Sequence, residues 1–539
     1  MVEYLYHLSL NFKCYLADFI STQASLMKPS SDFLWQLIHS LSSNEKLFFK
    51  RNYIGNKLPT QSLYVKLFNA IASQKKYNEE AIIKKFQPAL NKKNIASQKH
   101  YLQKQVCDAL VAYDSRNNDS LDIYNQILLV RVYRKKGLLD EAHAVWKKAV
   151  EKARATESFA MLNLLKTEFE KMILFSSVHT KYDELHSIFQ GNIITYDEYS
   201  EMITLRDIYA ESLLLKKMAH FGQDDALKEK IMQLLTRVNK SSSIAQSFWF
   251  RHYYHMSKAT LLYLLNDMEG AMKLFKQVLI DWNNSTQYIK TNGEHYVELL
   301  YMINYAGILQ GEYKYVTAVF NDPINNLVED KAQRANFEAI KYLALNKIYN
   351  KTARYKEVEK MVQYMKSKYR LWEPSLNPDL NRTVNISLGI ACFVLEQYND
   401  ALYFIKRAIT YFKDGTREEH FSLAQVLLLL ITYNLNNSKL FDSQYKATYT
   451  FFYKRKKRHP FETALVQCLH RTFYMTDNKE KTKEYEKTLL VFEQNKNDVV
   501  QQMTFSIFNY PGWLISKVQR ISYRQYVERK VKTQELEPA

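Results

Sequence analysis

Glycine and proline are scarce in this chain, with 11 and 9 positions among 539 residues and no proline between Pro88 and Pro323. Together they make up about 4% of the sequence against a typical ~12%. A large β protein needs many tight turns, and those turns draw on these two residues, so that fold class is excluded. Glycine-rich phosphate loops are excluded with it, since neither GxGxxG nor GxxxxGK[ST] occurs. Cysteine is rare too: Cys14, Cys107, Cys392 and Cys468 lie too far apart for a CxxC pair or a zinc knuckle. A chain of this length has no need of disulfide staples, and a reducing cytoplasm is the expected compartment. Long hydrophobic runs are missing as well. The most apolar stretch, Leu423 to Leu435, is interrupted by Gln425, Thr432 and Asn434 and is too short to span a bilayer. Near the start, Glu3, Asn11, Lys13 and Asp18 break the apolar pattern that a signal peptide requires. Periodic helical patterning begins only at Ser31, so Met27 competes with Met1 as the biological start, and residues 1–26 read as an N-terminal extension.

What is present is apolar surface and positive charge. With 47% hydrophobic and 24% charged residues the chain folds rather than staying disordered, and its length holds several cores. Lys and Arg number 75 against 56 Asp and Glu, a net charge of +19. The excess sits at the ends: residues 27–120 carry 15 cations against 7 anions, residues 454–539 carry 17 against 10, and the long middle carries 42 against 37. Such a balance attracts acidic proteins, nucleic acid or anionic surfaces without choosing among them.

Internal repetition decides the architecture of a long helical chain. From Gln126 the sequence runs QILLVRVYRKKGLLDEAHAVWKKAV, from His255 HMSKATLLYLLNDMEGAMKLFKQVL, and from Asn385 NISLGIACFVLEQYNDALYFIKRAI. Each copy has an apolar first helix, a short polar turn, and then a small residue followed by a bulky one four positions on and a small or apolar one three beyond that. These are Ala142, Trp146 and Ala149; Ala271, Phe275 and Val278; and Ala401, Ile405 and Ala408. The spacing keeps all three on one helical face, and the small residue lets the two helices cross closely. Gly137 is expected to end the first helix of its copy, with Asp140 as the cap of the second. Weaker copies follow, with Gly311, Tyr313, Val316 and Phe320 in one and Tyr355, Val358, Val362 and Met365 in the next. Val replaces the small crossing residue in both, which predicts looser or differently angled packing there. Residues 160–240 and 421–496 are helical by periodicity but do not fit the repeat.

This pattern, with Leu388-Gly389 and Tyr398 in the best copy, resembles the tetratricopeptide repeat. The resemblance implies an all-α solenoid over residues 121–413, between a basic helical module at 27–120 and a helical C-terminal region at 414–539 closed by a cap. It also implies a concave surface lined by the first helix of each repeat. The positions that carry over are Tyr124, Ile127, Arg131, Arg134 and Lys135; Tyr301, Tyr305 and Ile308; and Leu343, Lys347, Asn350 and Lys351. Cations with Asn and Tyr suit an extended acidic peptide, because Asn bonds peptide backbone while Arg and Lys meet carboxylates. In the copy at Asn385 the same positions are Ile386, Ile390, Phe393 and Val394, an apolar set expected to be buried against another segment such as the C-terminal helices.

The basic ends offer a second set of residues. Helices are expected over 31–54, 58–77, 78–86 and 95–113, with Ser42-x-x-Glu45 and Asn78 as N-cap signals. The last pair has the outline of a helix-turn-helix presenting Lys92, Lys93, Lys99, His100 and Lys104 to phosphates. Lys454, Arg455, Lys456, Lys457 and Arg458 form a run of five cations before Pro460, and Tyr510 to Leu514 reads as an aromatic turn leading into an amphipathic helix that ends at Lys530. Signatures of catalysis are missing: HExxH and GxSxG do not occur, and His252 and His255 have no third ligand near them in sequence. The expectation is a non-enzymatic cytoplasmic scaffold without cofactor or metal, which binds a protein or peptide, acidic in character, through its solenoid. The alternative is a nucleic-acid-associated regulator whose N-terminal module contacts DNA or RNA while the solenoid senses a ligand.

Overall fold

The computed structural model describes residues 32–52, 63–115, 119–173, 196–218, 225–241, 247–412, 418–455 and 459–536, and among them every regular element is a helix. The chain divides into two compact units, residues 1–185 and 186–539.

In the first unit, α1 (Phe33–Ser40), α2 (Ser43–Asn52), α3 (Leu63–Ala72), α4 (Glu79–Lys85) and α5 (Ile95–Asp114) share one core built on Ile38, Phe68, Leu102 and Val106. A single helix over 31–54 was the expectation; instead the chain turns extended at Leu41 and restarts. The cause is the capping box, in which the Ser42 hydroxyl accepts from Glu45 N–H at 3.2 Å while the Glu45 carboxylate accepts from Ser42 N–H at 2.5 Å. Three further helices follow: α6 (Asp119–Lys135), α7 (Leu139–Ala155) and α8 (Phe159–Ile173). Gly137, at φ 77°, makes the turn between the first two of these. Asp140 does not cap α7, contrary to expectation: the cap position falls to Leu138, and Asp140 lies in the first turn, where its charge favours the positive end of the helix dipole. Ala142, Trp146 and Ala149 are all buried, and the Trp146 ring stacks on Phe169 at 4.4 Å while its N–H donates to Leu165 C=O at 2.8 Å.

The second unit is a succession of helix hairpins. They are α9 (Tyr196–Met218) with α10 (Asp225–Asn239), and α11 (Phe248–Leu264) with α12 (Met268–Asn284). A short α13 (Gln287–Thr291) leads to α14 (Gly293–Leu309) with α15 (Tyr313–Asn321), then α16 (Lys331–Lys351) with α17 (Tyr355–Trp372), and α18 (Pro378–Val394) with α19 (Tyr398–Ile409). The pairing continues through α20 (Glu418–Asn434) with α21 (Ser438–Lys454) and α22 (Pro460–Tyr474) with α23 (Asn478–Gln494), before α24 (Val499–Ile507), α25 (Tyr510–Val518) and α26 (Tyr523–Leu536). Within a hairpin the two helices pack on each other, and α14, α16 and α18 pack in sequence, so contacts stay local along the chain.

One turn is used repeatedly. Asn266, Gly311, Ala353 and Glu396 take φ 67°, 74°, 53° and 60°, and the next N–H reaches back five residues, Asp267 to Leu262, Glu312 to Gly307, Arg354 to Tyr349 and Gln397 to Cys392, at 2.8–2.9 Å. This is the Schellman closure, which satisfies carbonyls that a helix end leaves open. The small and bulky residues fall where the spacing puts them: Ala271, Phe275, Val278, Ala401, Ile405 and Ala408 are all fully buried. Gly389 sets the closest crossing, since a Cβ there would lie 2.5 Å from Ile405 Cγ1. In the copy where Val316 replaces the small residue, the small partner has moved to the first helix: a Cβ on Gly307 would lie 2.5 Å from Val316 Cγ2. The packing there is therefore close rather than loose. Tyr510 to Leu514 is not a turn. Asn509 accepts from Gly512 N–H at 2.9 Å and Pro511 occupies the first helical turn, so α25 begins at Tyr510. The single amphipathic helix expected after it is split, with Arg520 at φ 55° between α25 and α26.

Candidate functional site

In the first unit, α6 carries Tyr124, Arg131, Arg134 and Lys135. Two of these are already engaged: Arg131 Nε bonds Glu168 Oε1 at 2.8 Å, and Arg134 reaches the same carboxylate at 3.7 Å. Glu168 comes from α8, is fully buried, and also meets Lys171 at 3.3 Å. Arg131 and Arg134 thus hold an internal acid where an external one was expected. Sequence spacing missed this because the carboxylate lies 37 residues beyond Arg131, in a stretch that did not fit the repeat. Lys135 stays exposed, and so does Tyr124, at 45%. Beside Tyr124 the helix also exposes Leu121, Leu128 and, at 50%, Val132. Their spacing of three, four and four residues places them on one face as an apolar stripe. It could have been found from the sequence by asking which apolar positions of this helix are left over once Ile123, Ile127 and Val130 enter the core.

In the second unit, Tyr301 and Tyr305 on α14 are half-buried with ring centroids 4.8 Å apart, and burial raises the Tyr301 hydroxyl pKa well above its ordinary value. Lys216 of α9 lies 5.1 Å over the Tyr301 ring and pairs with Glu298. On α16, Asn350 is less available than expected: its amide N–H groups donate to Asn346 C=O at 2.8 Å and Asn346 Oδ1 at 3.2 Å. Asn346 in turn donates to the Ser387 hydroxyl at 2.8 Å, so these amides knit α16 to α18. Lys347 is half-buried and Lys351 exposed. Burial, with the Lys351 charge beside it, pushes the Lys347 ammonium down to about 8. The apolar positions of α18 are covered as expected, with Phe393 meeting Phe508 at 5.4 Å and Tyr523 at 6.4 Å from the C-terminal helices.

No family model matches the chain, and no curated protein matches it in sequence. The site must be read from its own chemistry.

The basic ends each divide into exposed and engaged cations. Lys92, Lys93, His100 and Lys104 are exposed, whereas Lys99 is tied to Glu79 and to the Tyr77 hydroxyl. Arg455 is a correction: it is buried, with Nη1 2.9 Å from the buried Glu462 carboxylate, which also accepts from the Ser422 hydroxyl. Pro460 places Glu462 in the first turn of α22, so Arg455, the second cation of the run, is held in an internal ion pair rather than on a solvated face. Lys454 is exposed, and Lys456, Lys457 and Arg458 lie outside the described residues. His252 is buried among aromatic rings and accepts from the Trp282 indole N–H at 3.3 Å. Among the described residues no group of three or more His, Cys, Asp or Glu converges to hold a metal ion, and no helix is long and apolar enough to cross a membrane.

Proposed function

We propose that this protein is a non-enzymatic adaptor of the cytoplasm, a tetratricopeptide-like repeat protein that holds a protein or peptide partner on its exposed helical faces. The observation that carries the reading is the stripe of Leu121, Tyr124, Leu128 and Val132 on α6. Such a face loses free energy to water until a complementary apolar surface covers it, at roughly 25 cal/mol per Å² buried. Lys135 and Lys136 at the C-terminal end of the stripe favour a partner with acidic residues beside its apolar ones. The free thiols Cys107, Cys392 and Cys468 fit a reducing compartment.

The test is affinity capture by the full chain and by a Leu128→Asp, Val132→Asp variant, each with and without nuclease. A partner kept through nuclease and lost by the variant supports the adaptor. A partner that the variant retains, or that nuclease releases, overturns it. Release by nuclease favours the second reading, in which Lys92 and Lys93, exposed just before α5, and Lys104, exposed at its middle, contact nucleic acid; binding then falls steeply with salt.

A further inference from the structure

Helix α26 is fixed by one face and charged on another. Its anchoring face is aromatic: Tyr523 meets Phe508 at 5.3 Å as well as Phe393, and the Arg524 guanidinium lies 4.9 Å over the Tyr355 ring of α17. The Tyr526 ring rests against Gly512 of α25, where a Cβ would come within 2.6 Å of it. Glu528 pairs with Arg524 at 3.1 Å. The charged side is different in kind. Tyr526, Arg529, Lys530 and Thr533, at helical spacing, join Gln519 to line an open recess of about 570 Å³. None of these side chains is a carboxylate, and all but Thr533, whose hydroxyl already donates to Arg529 C=O at 2.9 Å, offer an N–H or O–H donor.

Lys351, at the end of α16, lies near Lys530. Lys530 is close enough to Lys351 to help depress its pKa along with burial, and Lys347 follows one turn back. Among the described residues none of Lys347, Lys351, Arg529 and Lys530 has an ion-pair partner. Cations crowded together in this way repel, and the repulsion is sustained by the aromatic anchoring of α26. Elsewhere the protein neutralises its crowded cations, with Glu168 for Arg131 and Arg134 and with Glu462 for Arg455.

We propose that the recess between α25 and α26, lined by Gln519, Tyr526, Arg529 and Lys530, binds a small phosphate-class anion. A phosphoryl group fits this donor set better than a carboxylate, because it brings nearly two negative charges and three acceptor oxygens to several converging donors. The volume accommodates a chain of phosphoryl groups or a nucleotide. Bound there, the anion offsets the positive charge of Arg529 and Lys530 and the repulsion that Lys530 exerts on the nearby Lys351. This inference is independent of the adaptor reading, which rests on α6 in the other unit.

The experiment is calorimetric titration and thermal unfolding of the full chain with tripolyphosphate, against sodium chloride at matched ionic strength. Tripolyphosphate is expected to bind saturably and to raise the unfolding temperature. Lys530→Met should weaken binding roughly tenfold, the loss of one charge-assisted bond, while raising the unfolding temperature in chloride because the repulsion is gone. That gain separates lost binding from lost folding. Lys147→Met with Lys148→Met, exposed on α7 and distant in sequence, should leave the titration unchanged. Adenosine triphosphate is the second arm: binding as tight as tripolyphosphate assigns a nucleotide, and weaker binding assigns a bare phosphate chain. The proposal is overturned if neither compound binds beyond the chloride control, or if Arg529→Met with Lys530→Met binds tripolyphosphate as wild type does.

Discussion

Two helices, α6 and α16, carry cations at positions that correspond in the repeat, and the structure treats them in opposite ways. On α6, Arg131 and Arg134 meet a buried carboxylate supplied by α8. On α16, among the described residues, Lys347 and Lys351 pair with no carboxylate, and Lys351 has Lys530 of α26 as a further cation nearby. Identical sequence logic therefore gave a structural ion cluster in one place and an uncompensated positive site in the other. A cation on an inner helix is informative only once its neighbours are known, because a buried acid turns it from a recognition group into part of the core.

The sharpest way to break the comparison is to remove the acid. Glu168→Gln leaves Arg131, Arg134 and Lys171 around a neutral amide at a fully buried position. The remaining cations are partly solvated, so the loss is expected to be about 1–3 kcal/mol, and denaturant unfolding should show it. An undiminished midpoint would mean that the two regions do not differ as described.

A buried group can also avoid the need for a partner by staying neutral, and His252 does so. The groups facing it are Tyr209, Phe248, Trp249, Tyr253, Trp282, His255 and His295, with no carboxylate among them. Burial first, and then the neighbouring histidines, hold its pKa well below 6.5. The unfolded chain therefore binds this proton first as pH falls. Stability is fully present above about pH 6.5 and is lost below it, with a limiting slope of ~1.4 kcal/mol per pH unit for this group. Equilibrium unfolding between pH 7 and 5 should show the decline, and His252→Gln should flatten part of it.

Much of the fold was legible in the sequence, because hairpin packing is local. The triads Ala142-Trp146-Ala149 and Ala401-Ile405-Ala408 reported their own burial through spacing alone. The pairs α20 with α21 and α22 with α23 were not legible as hairpins, since their crossings lack that triad, although Asn436 between the first two takes a left-handed φ of 51°. Gly307 escaped notice because it compensates Val316 from the opposite helix. The candidate site was less legible still. Charge partners such as Glu168 for Arg131 and Glu462 for Arg455 depend on tertiary placement, which residue type does not reveal.

Lys347 sharpens the other half of the comparison at alkaline pH. Its pKa is near 8 in the folded chain against 10.5 when unfolded, so the unfolded chain holds more protons between those values. The cost of the buried charge is fully present below about pH 8 and is relieved as pH rises toward 10.5. Stability should therefore climb over that window in wild type, by an amount on the order of 1 kcal/mol after solvent screening, and Lys347→Met should remove the climb.

The smallest effect is expected at Lys135, which lies one residue beyond Arg134, is exposed, and shares none of Glu168. Lys135→Glu should change folding stability by no more than about 0.5 kcal/mol, as surface substitutions away from buried features do. Arg134→Glu would instead set a second carboxylate against Glu168, and its folding loss would hide any effect on a partner. If the α6 stripe receives an acidic partner, Lys135→Glu lowers affinity and makes it less sensitive to salt while the unfolding curve stays in place. Titrating the captured partner against both chains at two salt concentrations reads these quantities separately. Equal affinity of wild type and variant at low salt would remove charge from the recognition and leave the apolar stripe to account for it alone.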